Sequence, residues 1–271
     1  MSRILCSTGA LIGRPNGRNF RLLEGCAERL KCDGFEFMMY STWYDQVDEL
    51  VGYLKGLRAV FPVVHLEKGI GECISRNEPG DTEEAIRRFR INCGVAEAIG
   101  ASKLVLHLWS GIHSDKDIGH NMELYGQLRP IAEEHGLKLT VENVVCNHED
   151  PFAHMQRLIA AYPDVQFTFD TKMAEFHGQM DCLYGAAGGE VFQHITHMHI
   201  NDYRGGRMDW NCLRTLHPGD GQIDFDRLFA FLKEKQYQGD FTVEATSFGS
   251  DGVIDLDALN RDFAGIRSRL A

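Results

Sequence analysis

The chain alternates short apolar runs with longer amphipathic segments, and this alternation repeats eight times. The runs hold apolar residues almost without a break, which is typical of strands buried on both faces of a parallel sheet. The amphipathic segments place apolar residues three or four positions apart, which is typical of helices with one buried face. The predicted strands cover residues 3–6, 34–40, 61–66, 103–109, 137–143, 165–170, 195–202 and 240–246.

Helical segments follow the strands one by one. They are predicted at residues 19–31, 47–54, 83–99, 122–135, 152–161, within 189–194, and at 225–235 and 256–270, with a polar loop at 67–81. Eight units of roughly 25 to 45 residues are the number found in a (β/α)8 barrel. No linker rich in Pro, Ser or Gly divides the chain, so we predict one α/β domain, a TIM barrel over residues 1–271. An open doubly wound sheet would show the same alternation and is the alternative.

Ionisable residues stand at or near the carboxyl ends of the predicted strands, where a barrel of this kind builds its active site. An interior that served stability alone would be mostly Val, Ile and Leu, so buried charges here need partners. Four of them come from four consecutive strands, which places them side by side around one arc of the barrel mouth. These four are Glu142, Asp170, His199 and Glu244.

Three carboxylates and one imidazole form an oxygen-rich ligand set. Such a set suits Mn²⁺, Mg²⁺, Co²⁺ or Zn²⁺, and Mn²⁺ is favoured because no thiolate is offered. A cation would also offset the mutual repulsion of the three carboxylates. The sequence therefore predicts a divalent metal site with these four residues as ligands.

Other polar and aromatic residues near the same strand ends are candidates for substrate binding. Each has a structural alternative, since a strand-end Glu, a single His or a strand-end Trp is often a hydrogen-bonding or packing residue. Trp43, Trp109 and Phe248 could stack on a sugar ring or an aromatic aglycone. The strand-end candidates are Glu36, His65, His107, Trp109 and Asp202.

Composition narrows the classes of protein to consider. The formal net charge of −11 argues against a nucleic-acid partner, because affinity for nucleic acid depends on Lys and Arg that neutralise phosphates. No run of about 18 apolar residues and no signal-peptide pattern is present, so we expect a cytoplasmic protein without a membrane partner. The eight cysteines are scattered singly, without a Cys-x-x-Cys motif, and are expected to be reduced.

Six short motifs follow one another from the second predicted strand to the eighth. They are Gly34-Phe-Glu36, Val141-Glu-Asn143, Phe169-Asp-Thr171, His197-Met-His-Ile-Asn-Asp202, Pro218-Gly-Asp-Gly-Gln-Ile-Asp224 and Val243-Glu244. Each is weak alone, but their order and spacing resemble the xylose isomerase-like TIM-barrel superfamily of sugar (phosphate) isomerases and epimerases and endonuclease IV. The resemblance covers essentially the whole chain.

The resemblance to the ketose 3-epimerases of this superfamily implies the same four metal ligands. It further implies that Glu142 and Glu244 are acid/base groups on opposite faces of the substrate. One would remove a proton next to a metal-bound carbonyl, an enediolate would form, and the other would return the proton. We therefore expect a metal-dependent isomerase or epimerase of a small carbohydrate or polyol. Relatives often form dimers or tetramers, so a homo-oligomer would be in keeping with the family.

Two positions depart from the epimerase pattern. The epimerases usually carry a His three residues after the strand-six Asp, where this chain has Met173, and Lys172 beside it is a candidate for the missing donor. The epimerases also place an Arg in the loop after strand seven, and Arg204 and Arg207 lie near that position.

Three alternatives remain. The same metal site in this superfamily also supports dehydration or lyase chemistry on keto-inositols and 3-keto glycosides. An endonuclease IV-like nuclease would need a three-zinc cluster, for which His65 and His107 are present but the His after Asp170 is absent. A non-catalytic homologue is the third, in which Met173 records lost activity.

Overall fold

Eight short parallel strands form the centre of the protein, which we describe from a computed structural model that covers residues 2–271. The strands are β1 (Ile4–Ser7), β2 (Gly34–Met38), β3 (Val63–His65), β4 (Lys103–Leu106), β5 (Lys138–Glu142), β6 (Gln166–Asp170), β7 (Ile195–Ile200) and β8 (Asp240–Val243). They pair in sequence order, and β8 also pairs with β1, so the sheet is a closed barrel. The predicted (β/α)8 fold is confirmed, and the open-sheet alternative is wrong.

Helices surround the barrel. They are α1 (Leu23–Ala27), α2 (Val47–Gly56), α3 (Gly69–Arg76), α4 (Asp81–Ala98), α5 (Ile118–Glu134), α6 (Pro151–Ala161), α7 (Thr171–Phe176), α8 (Ala186–His194), α9 (Phe225–Glu234) and α10 (Leu256–Leu270). The predicted loop at 67–81 is wrong over α3, where Ile70, Cys73 and Ile74 are buried at helical spacing. The first predicted helix is also shorter than expected, because a 3₁₀ turn (Phe20–Leu22) precedes α1.

Several strands end earlier than the apolar runs predicted. β4 stops at Leu106 and β8 at Val243, so His107 and Glu244 follow their strands directly. Glu142 and Asp170, by contrast, are the last residues of β5 and β6. The runs were longer than the strands because loop residues at the barrel mouth are also buried, which an apolar pattern cannot separate from strand burial.

The interior of the barrel mixes apolar and polar side chains. Leu5, Val63 and Val105 form a buried cluster apart from the main core. The hydroxyl groups of Thr140 and Thr168, on neighbouring strands, lie 2.7 Å apart and are fully buried. Buried polar groups need hydrogen-bond partners, and this pair gives each hydroxyl one inside the barrel.

Among the helices of residues 2–271, none combines the length and the apolar character that a membrane crossing requires. The eight cysteines are free thiols.

Candidate active site

Four side chains from consecutive strands meet at the carboxyl end of the barrel. Their potential ligand atoms all lie within 4.8 Å of one another. These residues, the four-residue group, are Glu142 at the end of β5, Asp170 at the end of β6, His199 in β7 and Glu244 directly after β8. They are the residues that the sequence singled out as metal ligands.

His199 is the central member of the four-residue group. Its Nδ1 atom lies 3.1 Å from Glu142 Oε1 and 3.4 Å from Glu244 Oε2. The distance from the same atom to Asp170 Oδ2 is 3.9 Å. The side chain of Glu244 is 12% exposed while those of His199 and Asp170 are fully buried, so the group opens to solvent on the Glu244 side.

Two asparagines hold the carboxylates in place. Asn143 accepts a 2.6 Å hydrogen bond from the Asp170 backbone N–H and donates one to the Asp170 carbonyl. Asn201 donates to Asp170 Oδ2 at 3.1 Å and accepts from the Glu244 backbone N–H at 2.9 Å. Neither asparagine was predicted from the sequence to have a role at the site, although each lies one or two residues beyond a predicted ligand. That spacing is the signal that could have found them.

The charges of the four-residue group are strongly coupled. Burial opposes protonation of His199, but Glu244, with Glu36 and Glu142, outweighs burial and raises the pKa of His199 well above its usual value. Burial, together with repulsion from neighbouring carboxylates, raises the pKa of Asp170 to about 6. The group therefore holds more negative charge than one imidazole neutralises, which favours a bound cation.

The donor chemistry of the four-residue group fits a divalent cation. Carboxylate oxygens and an imidazole nitrogen are ligands that Mn²⁺, Zn²⁺, Co²⁺ and Mg²⁺ accept. Within residues 2–271, Glu244 Oε1 is buried and has no hydrogen-bond partner, although a buried carboxylate oxygen ordinarily has one. A cation at the centre of the group would satisfy this atom.

Glu36 lies beside the Nε2 atom of His199, whereas the other three members of the group lie near its Nδ1 atom. Its carboxylate is 3.0 Å from His199 Nε2 and 2.7 Å from His197 Nε2, and it accepts a 2.8 Å hydrogen bond from the Thr242 hydroxyl. Glu36 was predicted from the sequence as a candidate for substrate binding. In the structure it is fully buried and does not lie on a surface open to substrate. Its position is that of the outer carboxylate which often orients a metal-binding His through the second ring nitrogen.

His65 and His107 approach Glu142 from the opposite side. The Nε2 atom of His107 lies 2.8 Å from Glu142 Oε2, and that of His65 lies 3.3 Å from the same oxygen. Burial lowers the pKa of His107 to about 4 despite the attraction of Glu142, which favours a neutral imidazole. These three residues form a second group with metal-ligand spacing that shares Glu142 with the first.

Lys172 lies beside the four-residue group, whereas Trp109 is remote from solvent. The Nζ atom of Lys172 is 3.8 Å from Asp170 Oδ2 and 3.1 Å from the Thr215 hydroxyl. Trp109 is fully buried, and its indole N–H donates to the Val144 carbonyl at 3.0 Å. Trp109 thus has the packing position that was the alternative to substrate binding.

The remaining sequence candidates lie in the loop after β7 and make local contacts. Asp202 is buried and accepts hydrogen bonds from four backbone N–H groups, at 2.8 to 3.1 Å. The exposed guanidinium of Arg204 donates to the Asp220 carbonyl, and Arg207 is exposed beside Gly178. Asp202 therefore shapes the loop, and neither arginine has a hydrogen bond or ion pair to the four-residue group within residues 2–271.

The aromatic residue exposed at the mouth is one that the sequence analysis missed. Trp43 is buried, with its indole N–H donated to the Arg18 carbonyl, and Phe248 is half-buried. Trp210, in the loop after β7, is 55% exposed. No periodic pattern marks a loop residue of this kind, because its exposure depends on how the loop folds back.

Another group of metal-ligand type lies outside the mouth. Asp115, Cys146 and His154, the loop junction, join the loop after β4 to the loop after β5 and to α6. Asp115 accepts three backbone N–H groups, those of residues 147, 148 and 149, at 2.7 to 3.1 Å. The Nε2 atom of His154 lies 2.8 Å from Asp115 Oδ2. Both carboxylate oxygens of Asp115 are thus occupied by donors from the protein.

Comparison with known proteins identifies a family and several related chains. The model of the xylose isomerase-like TIM barrel family matches residues 26–262. An inosose dehydratase of Erwinia tasmaniensis is 28% identical over 145 residues, which cover 49% of this chain and 49% of that protein. The chain thus matches about half the length of this curated relative.

Solved structures resemble the fold over nearly the whole chain. A D-allulose 3-epimerase from Methylomonas sp., solved in complex with D-allulose, is 19% identical with a TM-score of 0.73, and the alignment covers 99% of this chain and 97% of that one. An IOLI protein solved with a bound zinc atom is 18% identical with a TM-score of 0.73, and the alignment covers 99% and 98% of the two chains. At these identities the likeness establishes the fold.

Proposed function

The chain belongs to the xylose isomerase-like TIM barrel family, and from this premise we propose that it is a divalent-metal-dependent isomerase or epimerase of a carbohydrate or polyol. The observation that carries the proposal is the four-residue group, in which three carboxylates surround one imidazole at the open end of the barrel. A set of this kind has little value for stability, because three crowded acids repel one another. It has an evident use if it holds a cation next to a substrate.

Glu142, Asp170, His199 and Glu244 would hold the metal. We expect Mn²⁺, with Mg²⁺, Co²⁺ or Zn²⁺ as alternatives, because the set offers oxygen and nitrogen but no thiolate. When bound, such an ion polarises a substrate carbonyl and makes the neighbouring C–H bond more acidic. The zinc atom in the IOLI structure supports the proposal that this chain also binds a divalent ion.

Glu142 and Glu244 are the acid/base pair in this proposal. Glu142 is the last residue of β5 and Glu244 directly follows β8, and a carboxylate oxygen of each lies near His199 Nδ1, so both border a substrate bound at the group. Burial alone would raise the pKa of Glu142, but His199 and His107 outweigh it and hold that pKa well below its usual value. Glu142 is therefore ionised and can take the proton from the carbon next to the carbonyl, while Glu244 returns a proton on the other side.

Lys172 is the proposed donor to a substrate oxygen, since Met173 has no side-chain hydrogen to donate. Burial disfavours the charge on Lys172, but nearby Asp170 and the other carboxylates outweigh it and raise its pKa, so the ammonium stays charged. Its Nζ lies 3.8 Å from Asp170 Oδ2, close enough to reach a substrate bound at the group.

A dehydratase or lyase that acts on a keto-inositol or a 3-keto glycoside is the second candidate. The 28% sequence identity to an inosose dehydratase, over about half of the chain, favours this candidate. Both reactions begin with proton removal next to a carbonyl, and they differ in whether the proton returns or a neighbouring hydroxyl leaves. The partner in either case is a small carbohydrate or polyol.

Hydrogen exchange with solvent tests the shared first step. The protein is incubated in D₂O with added Mn²⁺ and a panel of ketoses, keto-inositols and 3-keto glycosides, and deuterium incorporation and products are followed by NMR. We expect exchange at one carbon of at least one substrate, and a loss of about 10²- to 10⁴-fold in Glu142→Gln and in Glu244→Gln, with the fold intact by circular dichroism.

Glu123→Gln, an exposed change on α5, is the matched control and should keep full activity. Full activity in Glu142→Gln would remove that residue from the mechanism. An absence of exchange across the whole panel would favour a non-catalytic homologue. Formation of an unsaturated product would favour the dehydratase.

A further inference from the structure

A cleft of about 540 Å³ opens at the barrel mouth beside the four-residue group. Its walls come from the loops after β3, β4, β5 and β7 and from α7. The lining residues are Lys68, His107, Ser110, Gly111, Ile112, Val144, Val145, Asn147, Met173 and Trp210. This volume lies within the range of about 300 to 1,000 Å³ that small-molecule sites occupy.

The cleft adjoins the candidate active site, because two residues of its wall contact members of the four-residue group. His107, at its inner end, has Nε2 2.8 Å from Glu142 Oε2. Met173, also on its wall, donates its backbone N–H to Asp170 Oδ1 at 2.9 Å. A molecule that reaches the four-residue group can therefore extend into the cleft.

The outer part of the cleft is apolar and exposed. Ile112 is 85% exposed and Trp210 is 55% exposed, and they are two of the four large hydrophobic residues exposed in residues 2–271. The other two, Val60 and Val253, are not part of the cleft. Large apolar side chains that face solvent together at a concave site mark a binding surface.

The polar side chains that line the cleft are Lys68, His107, Ser110 and Asn147, and its other side chains are aliphatic, thioether or aromatic. The side-chain amide of Asn147 is already donated to the carbonyls of Gly111 and Ile112, both at 3.2 Å. Met173 and Val145 offer no hydrogen bond from their side chains. Hydroxyl groups buried against Met173 and Val145 would lose their water partners without replacement, which disfavours a sugar in this part of the cleft.

The walls of the cleft are held in place. The Trp210 ring meets Phe176 edge to face at 5.3 Å, and Phe176 itself is fully buried. On the facing loop, the Ser114 hydroxyl donates to the Val145 carbonyl at 2.8 Å, and Asn147 fastens the turn that carries Ile112. Trp210 thus presents a supported aromatic surface at the entrance.

We propose that this cleft binds an apolar, planar group attached to the carbohydrate, so that the substrate is an aryl glycoside or a similarly substituted polyol. The inference rests on the proposed function, because the carbohydrate part is placed at the four-residue group. It adds that specificity comes from stacking on Trp210 and from packing against Ile112. Such stacking contributes about three- to tenfold in affinity.

The test compares two probes that differ only in the apolar group. Phenyl and methyl 3-keto-β-D-glucopyranoside are titrated into the Mn²⁺-loaded protein by calorimetry. We expect the phenyl compound to bind about three- to tenfold more tightly. Trp210→Ala should remove this difference and leave the Kd of the methyl compound unchanged, and Trp210→Phe should retain most of it. Val253→Ala, another exposed apolar position, is the matched control and should change neither Kd.

Equal affinity for the two probes, or no binding of either, would overturn the proposal, as would a phenyl preference that survives in Trp210→Ala. Analytical ultracentrifugation tests the alternative that a second copy of the chain occupies the cleft. A wild-type oligomer that dissociates in Trp210→Ala would show that the cleft is a subunit interface. Failure of the proposed function gives a different result, namely a Trp210-dependent phenyl preference without any hydrogen exchange in D₂O. Hydrogen exchange on sugars, together with equal Kd values for the phenyl and methyl compounds, would support the proposed function and contradict only the proposed role of the cleft.

Discussion

The four-residue group and the loop junction each place carboxylate and imidazole groups at metal-ligand spacing, and all of their members except Glu244 are buried, yet their surroundings differ. At the loop junction, Asp115 accepts three backbone N–H groups and faces the His154 imidazole at 2.8 Å. At the barrel mouth, three carboxylates share one imidazole, and Glu244 Oε1 has no hydrogen-bond partner within residues 2–271. Both carboxylate oxygens of Asp115 have protein donors at the loop junction, whereas a carboxylate oxygen of the four-residue group has none in the described part of the chain.

This difference teaches how to separate a structural cluster from a functional one. A buried carboxylate whose oxygens are all occupied by protein donors is stable as it is, and a cation would have to displace those donors. A cluster with surplus acceptors needs something from outside the chain. The distances between ligand atoms are similar in the two places, so spacing alone would rank them together.

The largest expected effect is on metal affinity. Asp170→Ala removes one oxygen ligand from the four-residue group, and we expect the Kd for Mn²⁺ or Zn²⁺ to rise at least about 100-fold. Asp115→Ala should leave it within about twofold, because Asp115 has no vacant acceptor for a metal. Chelator competition followed by elemental analysis measures both.

A Kd for Asp170→Ala that equals the wild-type value would place the metal elsewhere, and the group of His65, His107 and Glu142 would then be the next site to examine. A large loss in Asp115→Ala would show that the loop junction also holds an ion, and the comparison would fail.

The next largest effect is on stability. Here we expect the larger change in the Asp115 variant, whereas for metal affinity we expect it in the Asp170 variant. Asp115→Asn turns an acceptor into a donor opposite the N–H of Glu149 and the His154 ring, so we expect a loss of about 1–3 kcal/mol in the free energy of unfolding. In metal-free protein, Asp170→Asn weakens the acceptor for the Met173 N–H and the Asn201 amide but also removes one of three crowded charges, so we expect a smaller loss of stability than in Asp115→Asn. Urea denaturation of the two variants, each without metal, checks this, and a loss in Asp170→Asn as large as that in Asp115→Asn would contradict it.

The stability difference for Asp115→Asn should depend on pH. Burial alone would raise the pKa of Asp115, but His154 and the three backbone N–H groups outweigh it and hold that pKa well below its usual value. A depressed folded-state pKa stabilises the protein above the unfolded value of about 4, and this stabilisation is lost as the pH falls toward the folded-state pKa. The gap between wild type and variant should therefore be full at pH 7 and should narrow below about pH 4.

Sequence alone was sufficient for the barrel and for the four residues at its mouth, because both follow from periodic patterns. An apolar run followed by an amphipathic helix gives one unit, and parallel strands bring their ends together. Depth along a strand is a different matter. Glu36 and His199 are both buried polar residues near strand ends, yet Glu36 contacts His199 Nε2, whereas the other three members of the group lie near His199 Nδ1. The alternation of residues along a strand predicts whether a side chain points into the barrel or out of it. How deep in the barrel it lies depends on the register between neighbouring strands.

Loop geometry was the other part that the sequence could not supply. Asp202 has the character of a site residue, but four backbone N–H groups of its own loop occupy it. Trp109 was a candidate for stacking and is packed inside, whereas Trp210, not considered beforehand, is exposed. These outcomes depend on contacts between loops far apart in sequence, which leave no periodic trace in either segment.

The smallest expected effect concerns Cys146, the thiol of the loop junction. Burial, together with nearby Asp115, raises the pKa of Cys146 far above its usual value, so the sulfur stays protonated and is a poor metal ligand. We expect Cys146→Ala to bind one divalent ion per chain, as we expect of the wild type, with an unchanged Kd. Elemental analysis of dialysed wild type and variant gives the ratio directly. A wild-type chain that holds more than one ion, with the excess lost in Cys146→Ala, would mean that the loop junction binds metal through its thiolate and that donor balance does not separate the two clusters.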